Sequence, residues 1–182
     1  LFKKQGNEIG TLITEQLKKL ISICEEREID VHSIGISVPG IWNRKTKRVW
    51  APNVQGWENY PLEEEIKSVI DGYYHLKIDN DRTCSILGEI WKGEAKGAEN
   101  AVFLTIGSGI GAGIMVDGKV IRGKNDIAGA IGWLAMGRPF HEKYKLRGYL
   151  ENQASSEGML ERAKEWRKRN PQYQGILKST VS

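Results

Sequence analysis

The chain predicts a mixed α/β fold, and three observations carry that prediction. Its first third holds an amphipathic helical pattern followed by an alternating strand pattern. Its middle holds a short strand that runs straight into a helix through acidic residues. A glycine-dense turn then joins two apolar strands. At 182 residues the chain is long enough for one domain with a real core, or two small ones.

The elements follow in order. Ile9, Leu12, Ile13, Leu17, Leu20, Ile21 and Cys24 recur at helical spacing, with Glu15, Lys18, Lys19, Glu25 and Glu26 opposite, so an amphipathic helix packs on a core. Ile34, Ile36 and Val38 alternate with small residues and read as a strand that Pro39-Gly40 ends. Residues 41–57, with Trp42, Trp50 and Trp57, read as a loop. A short helix is expected over 62–70, entered through Pro61 with Glu63 and Glu64 in its first turn.

His75 to Ile78 reads as a strand ending on Asp79-Asn80-Asp81, and a helix follows to about Gly93. Residues 101–106 form an apolar strand, 107–111 a turn, 112–116 a second strand, Asp117-Gly118 a hairpin turn and 119–122 a third strand. Residues 126–137 are rich in Gly and Ala. One long helix is expected from Glu151 to Arg169, closed by Pro171 and Gly175. The natural boundary lies near Gly97 to Asn100, giving units 1–98 and 99–182.

Composition narrows the class. The chain is 40% hydrophobic and 27% charged, which is globular rather than disordered or fibrous. No apolar run reaches the roughly 18 residues that cross a bilayer, and residues 1–5 carry no signal-peptide core, so a cytoplasmic protein without a membrane partner is expected. Cys24 and Cys84 form neither a metal-binding nor a disulfide pattern, in keeping with a reducing compartment. The net charge of +4 comes largely from Arg162, Lys164, Arg167, Lys168 and Arg169. Such a cluster reads as a solvated helix face, and nucleic acid is not an expected partner.

Two constellations bear chemistry. In Thr105-Ile106-Gly107-Ser108-Gly109-Ile110-Gly111-Ala112-Gly113, closely spaced glycines let backbone N–H groups approach an anion. A dinucleotide fingerprint would need the glycines to open a helix, whereas Ile114-Met115-Val116 continues as a strand. A Walker-type loop, nearly spelled from Gly113 to Lys119, fails at Val120. A turn without a ligand and a phosphate-cradling β-hairpin remain. Asp79-Asn80-Asp81 closes a strand, the end of an α/β sheet where ligands gather. Two carboxylates flanking an amide can orient a hydroxyl and take its proton; alternatively, Asn80 or Asp81 caps the following helix.

Several segments together resemble the ROK family of sugar kinases and transcriptional repressors. Residues 34–40 with Pro52-Asn53-Val54-Gln55-Gly56-Trp57 are similar to its substrate loop. Asp79-Asn80-Asp81 with Leu87-Gly88-Glu89 resembles its catalytic segment, and residues 104–114 its second phosphate loop. Gly118, Gly123 and Ala128-Gly129 continue the signature. Gly148-Tyr149-Leu150-Glu151 with Ala154-Ser155 resembles the segment that closes its sugar site.

The resemblance implies the actin-like ATPase (ribonuclease H-like) fold in two lobes, and ATP-dependent phosphorylation of a sugar or sugar derivative. Asp81 would be the general base. Asn80, Glu151 and Asn53 would hydrogen-bond sugar hydroxyls, and Gly107, Gly109 and Gly111 would lie against phosphates. ATP and Mg²⁺ would be required, and sugar, nucleotide and a second copy of the chain would be the partners. The alternative is a non-catalytic sugar-sensing regulator or pseudokinase of the same family.

Three departures from the family pattern bear on those roles. Its N-terminal phosphate motif and its adenosine-binding glycines have no counterpart here, which predicts a chain incomplete at both ends. The family's Glu-x-Gly-His element reads Ala130-Ile131-Gly132-Trp133, removing a sugar-binding Glu and a zinc-binding His. The three zinc cysteines align with Glu142, Tyr144 and Tyr149, so no structural zinc is expected.

Overall fold

The computed structural model describes residues 6–52, 54–70, 72 and 74–176. The chain divides into two units: Leu1–Cys84 with Gly123–Ile127, and Ser85–Arg122 with Ala128–Ser182.

In the first unit, helix α1 (Asn7–Glu26) brings Ile9, Ile13 and Leu17 onto one face, and these half-buried side chains pack against the core. Leu20 and Ile23, further along, are exposed. Strand β1 (Ser33–Val38) pairs in parallel with β4 (His75–Asn80), in register from Ser33↔His75 to Val38↔Asn80. The strand predicted to stop at Ile78 therefore runs on through Asn80.

The segment expected to be loop-like contains a hairpin instead. Strands β2 (Ile41–Asn43) and β3 (Arg48–Trp50) pair antiparallel, with Trp42 opposite Val49. Both of those side chains are buried, so the hairpin is held by two inward residues rather than by a long alternating pattern. Helix α2 (Leu62–Lys67) ends three residues earlier than expected and buries Leu62 and Ile66. With Val38, Trp57, Tyr60 and Ile78 they complete this core, where the Trp57 and Tyr60 rings stack at 4.5 Å.

Gly10, the buried residue of α1, seats that helix on the core. A Cβ there would collide with the Tyr60 hydroxyl and the Glu65 carboxylate. Tyr60 Oη donates to Glu65 Oε1 at 2.6 Å. Burial first, and then the hydrogen bond to Glu65 and its charge, push the Tyr60 phenol pKa well above its ordinary value.

Helix α3 (Asp81–Lys92) leaves the end of β4 and carries the chain into the second unit. There, β5 (Ala101–Ile106), β6 (Ile110–Val116) and β7 (Lys119–Val120) form an antiparallel sheet in that order. The Asp117-Gly118 turn has the two positive φ angles, 50° and 69°, that a tight hairpin demands. Val102, Leu104 and Ile106 alternate along β5 with their side chains exposed.

The single long helix expected from Glu151 to Arg169 is two, α5 (Tyr149–Ala154) and α6 (Ser156–Arg169), and a short helix α4 (Tyr144–Arg147) precedes them. Ser155 interrupts the last two. Its backbone is extended and its Oγ accepts from Gly158 N–H at 3.1 Å, so it caps α6. Arg167, Lys168 and Arg169 lie in the last turn of α6, where cations suit the carbonyl end of a helix. No helix among the described residues is long and apolar enough to cross a membrane.

Candidate functional site

The candidate residues fall in both units. In the first, β4 delivers Asn80 and Asp81 at its C-terminal end, where the parallel pairing with β1 stops. Asp81 opens α3 and is exposed. Its Oδ1 accepts from the neighbouring Arg82 N–H at 2.8 Å, and it forms no ion pair among the described residues. A carboxylate so placed keeps lone pairs available for a hydroxyl proton.

Asn80 is held differently. It is 3% exposed. Its Oδ1 accepts from Trp42 N–H, and its Nδ2 donates to the Asp126 carbonyl at 3.1 Å. One Nδ2 hydrogen and one Oδ1 lone pair remain. Asn80 thus ties the end of β4 to β2 and to residues 123–127.

Asp126 was not singled out from sequence. Its carboxylate is almost fully buried and meets Arg44, with Oδ1 2.6 Å from Nε and Oδ2 3.2 Å from the backbone N–H. The available signal was a lone acid in a run of Gly and Ala, at a position with φ 57° that Asp tolerates better than most residues. Arg82 Nη2 donates to the Gly40 carbonyl at 3.3 Å, so the residue after Asp81 is anchored to the turn that ends β1. Asn53 lies outside the described residues.

In the second unit, the β5–β6 turn consists of Gly107, Ser108 and Gly109, and Gly111 already belongs to β6, opposite Thr105. Gly107 N–H donates to the Gly109 carbonyl at 2.9 Å, and the Gly107 carbonyl accepts from Ser156 N–H at 2.8 Å. Among the described residues, the N–H groups of Ser108 and Gly109 have no acceptor. A Cβ built on Gly107 meets nothing within 4 Å, so the turn is open on that side. Two adjacent free N–H groups on an open turn suit a phosphate oxygen.

Glu151 reaches this turn. Its Oε2 accepts from Ile110 N–H at 2.8 Å. A Cβ on Gly109 would lie 3.2 Å from that oxygen and one on Gly132 would lie 2.8 Å from it, so two glycines make room for the carboxylate. Among the described residues, Oε1 has no donor.

At the four positions that the resemblance assigns to zinc, the side chains are an indole, two phenols and one carboxylate. That donor set does not fit a zinc site. Tyr144 is instead the buried hub of a ring cluster, edge-on to Tyr149 at 5.1 Å, His141 at 5.4 Å and Phe140 at 6.0 Å. Magnesium makes lighter demands: one or two carboxylates beside substrate phosphates suffice.

Comparison with known proteins supplies the family. The sequence model of the ROK family matches residues 4–180. A glucokinase of Halalkalibacterium halodurans is 32% identical over 164 residues, covering 88% of this chain and 48% of that protein. The crystal structure of a ROK hexokinase from Thermus thermophilus superposes with a TM-score of 0.71 at 25% identity, over 92% of this chain and 54% of that one. A ROK family transcriptional regulator, a homologue of the E. coli MLC protein, superposes at 0.78 with 22% identity, over 98% and 44%. The chain spans about half the length of each.

Proposed function

This chain belongs to the ROK family and has its actin-like ATPase fold, and from that premise we propose that it serves ATP-dependent phosphorylation of a sugar or sugar derivative. The observation that carries the reading is Asp81: an exposed carboxylate without an ion pair among the described residues, set at the end of a parallel strand by a buried asparagine. In this proposal Asp81 takes the proton from the sugar hydroxyl as it attacks. The remaining Nδ2 hydrogen of Asn80 and the free Oε1 of Glu151 meet other hydroxyls, with Asn53 as a further contact. The N–H groups of Ser108 and Gly109 meet phosphate oxygens, while Gly107 and Gly111 keep the backbone free of Cβ atoms. Mg²⁺ supplies charge neutralisation at the phosphates in this chemistry.

The test is a coupled kinase assay over hexoses and N-acetylhexosamines, on this chain together with any native sequence that flanks it. Asp81→Asn keeps the size and removes the base. Turnover is expected to fall about 10² to 10⁴-fold, the range for loss of a general base, with sugar binding retained. Turnover equal to the parent's would sink the assignment.

A second reading is favoured by Ala130 and Trp133, which stand where the family resemblance places a sugar-binding Glu and a His. In that reading the chain senses a sugar without phosphorylating it. Sugar binding with no turnover, and no change on Asp81→Asn, would select it.

A further inference from the structure

The second unit holds a cavity of about 840 Å³ between residues 133 and 149 that the proposed phosphorylation does not use. Trp133, Met136, Phe140, Tyr144 and Tyr149 line it, together with Arg138. Its size falls within the roughly 300–1,000 Å³ of small-molecule sites. The walls are preformed, because the rings of Tyr149 and Phe140 both pack edge-on to the buried Tyr144.

Two features say what fits. Trp133, Met136 and Phe140 are 43%, 66% and 63% exposed, so three large apolar side chains within eight residues face solvent beside a concave surface. Rings and a thioether offer stacking and apolar contact but few partners for the hydroxyls of a sugar. The cavity also has two cations with different duties. Lys145 is paired with Glu142 at 2.8 Å. Arg138 has no ion pair or hydrogen bond among the described residues, and a guanidinium presents a planar fork of donors to a carboxylate, sulfonate or phosphate.

We propose that this cavity binds a small aromatic acid, its ring against Trp133 and Phe140 and its anionic group on Arg138. None of its residues carries a role in the proposed transfer, although Trp133 stands at the position where the family resemblance places a His. The volume suits a single small molecule rather than a polypeptide segment.

The probe is 8-anilinonaphthalene-1-sulfonate, an aromatic body with one sulfonate, titrated into the whole chain and followed by its emission. Saturable binding of one dye per chain is expected. Trp133→Ala should weaken it at least about fivefold, as the loss of an aromatic contact does. Phe140→Ala, at a more exposed position, should weaken it in the same direction. Arg138→Gln should weaken it about threefold, the scale of an exposed ion pair, and leave binding of the uncharged N-phenyl-1-naphthylamine unchanged. Dye affinity that is untouched in both ring variants would overturn the site. Equal loss of both dyes in Arg138→Gln would overturn the acidic ligand. Abolition of binding by Leu104→Lys, on the exposed face of β5, would place the dye elsewhere and overturn the proposal.

Discussion

The two units hold their candidate residues by different means. In the first, side chains do the holding. Asn80 is fixed by Trp42 and Asp126, Asp126 by Arg44, and beneath them large residues such as Trp57, Leu62 and Ile66 close a core. In the second, the backbone presents the groups: Ser108 and Gly109 offer main-chain N–H groups, and Glu151 is kept in place by Ile110 N–H and by room beside two glycines. Its sheet leaves Val102, Leu104 and Ile106 uncovered. A general base needs a fixed direction, which buried packing supplies. A phosphate cradle needs close approach, which absent side chains supply.

The comparison breaks most readily at Leu62. Its side chain is fully buried, and Leu62→Ala removes packing on all sides. A loss of about 2–5 kcal/mol is expected for such a truncation, read from urea unfolding. A loss below 1 kcal/mol would mean that the first unit is no better packed than the second.

Gly10→Ala sharpens the same contrast. In an exposed helix alanine is favoured over glycine by about 1 kcal/mol. Here the added Cβ would meet Tyr60 and Glu65, so a net destabilisation of about 1–3 kcal/mol is expected from overpacking. A gain in stability would show that α1 does not rest on Tyr60.

How far these features were legible follows from their range along the chain. The strand, the acidic run and the helix that carry Asp81 are contiguous, and periodicity shows each of them. The β5–β6 turn and the Asp117-Gly118 hairpin are local too, and glycine spacing marks them. The β2–β3 hairpin was hidden, because three residues per strand are too few to show alternation. The break at Ser155 was hidden because helical periodicity continues on both sides of a residue whose capping role depends on its backbone angles. Asp126 was hidden for a different reason: its partner Arg44 lies 82 residues away, and no local pattern joins them.

Tyr60→Phe tests the first unit with a smaller change. It removes the hydroxyl that donates to Glu65 and should cost about 1 kcal/mol. Its pH dependence is more diagnostic. The folded phenol ionises at a higher pH than the unfolded one, so its contribution to stability is whole below about pH 10 and is lost as pH rises further. Parent stability should therefore decline above pH 10, and the Tyr60→Phe variant should decline less. Parallel pH profiles would mean that Tyr60 is not the group responsible.

The smallest effect on stability is expected from Leu104→Lys. Leu104 is 53% exposed, at the centre of the apolar row on β5, so a lysine there displaces no buried neighbour. Its flexible stem can lie along Val102 and Ile106 while the ammonium stays in water. Unfolding free energy should change by no more than about 0.5 kcal/mol, as for surface substitutions in general. Association is where the change should show, because a contiguous exposed apolar patch promotes self-contact and one charge in its middle opposes it. Sedimentation velocity across a concentration series reads the association, and urea unfolding reads the stability. Less association at unchanged stability would confirm that the second unit leaves this face outside its core. A stability loss of 2 kcal/mol or more would place Leu104 in a core and erase the contrast between the units.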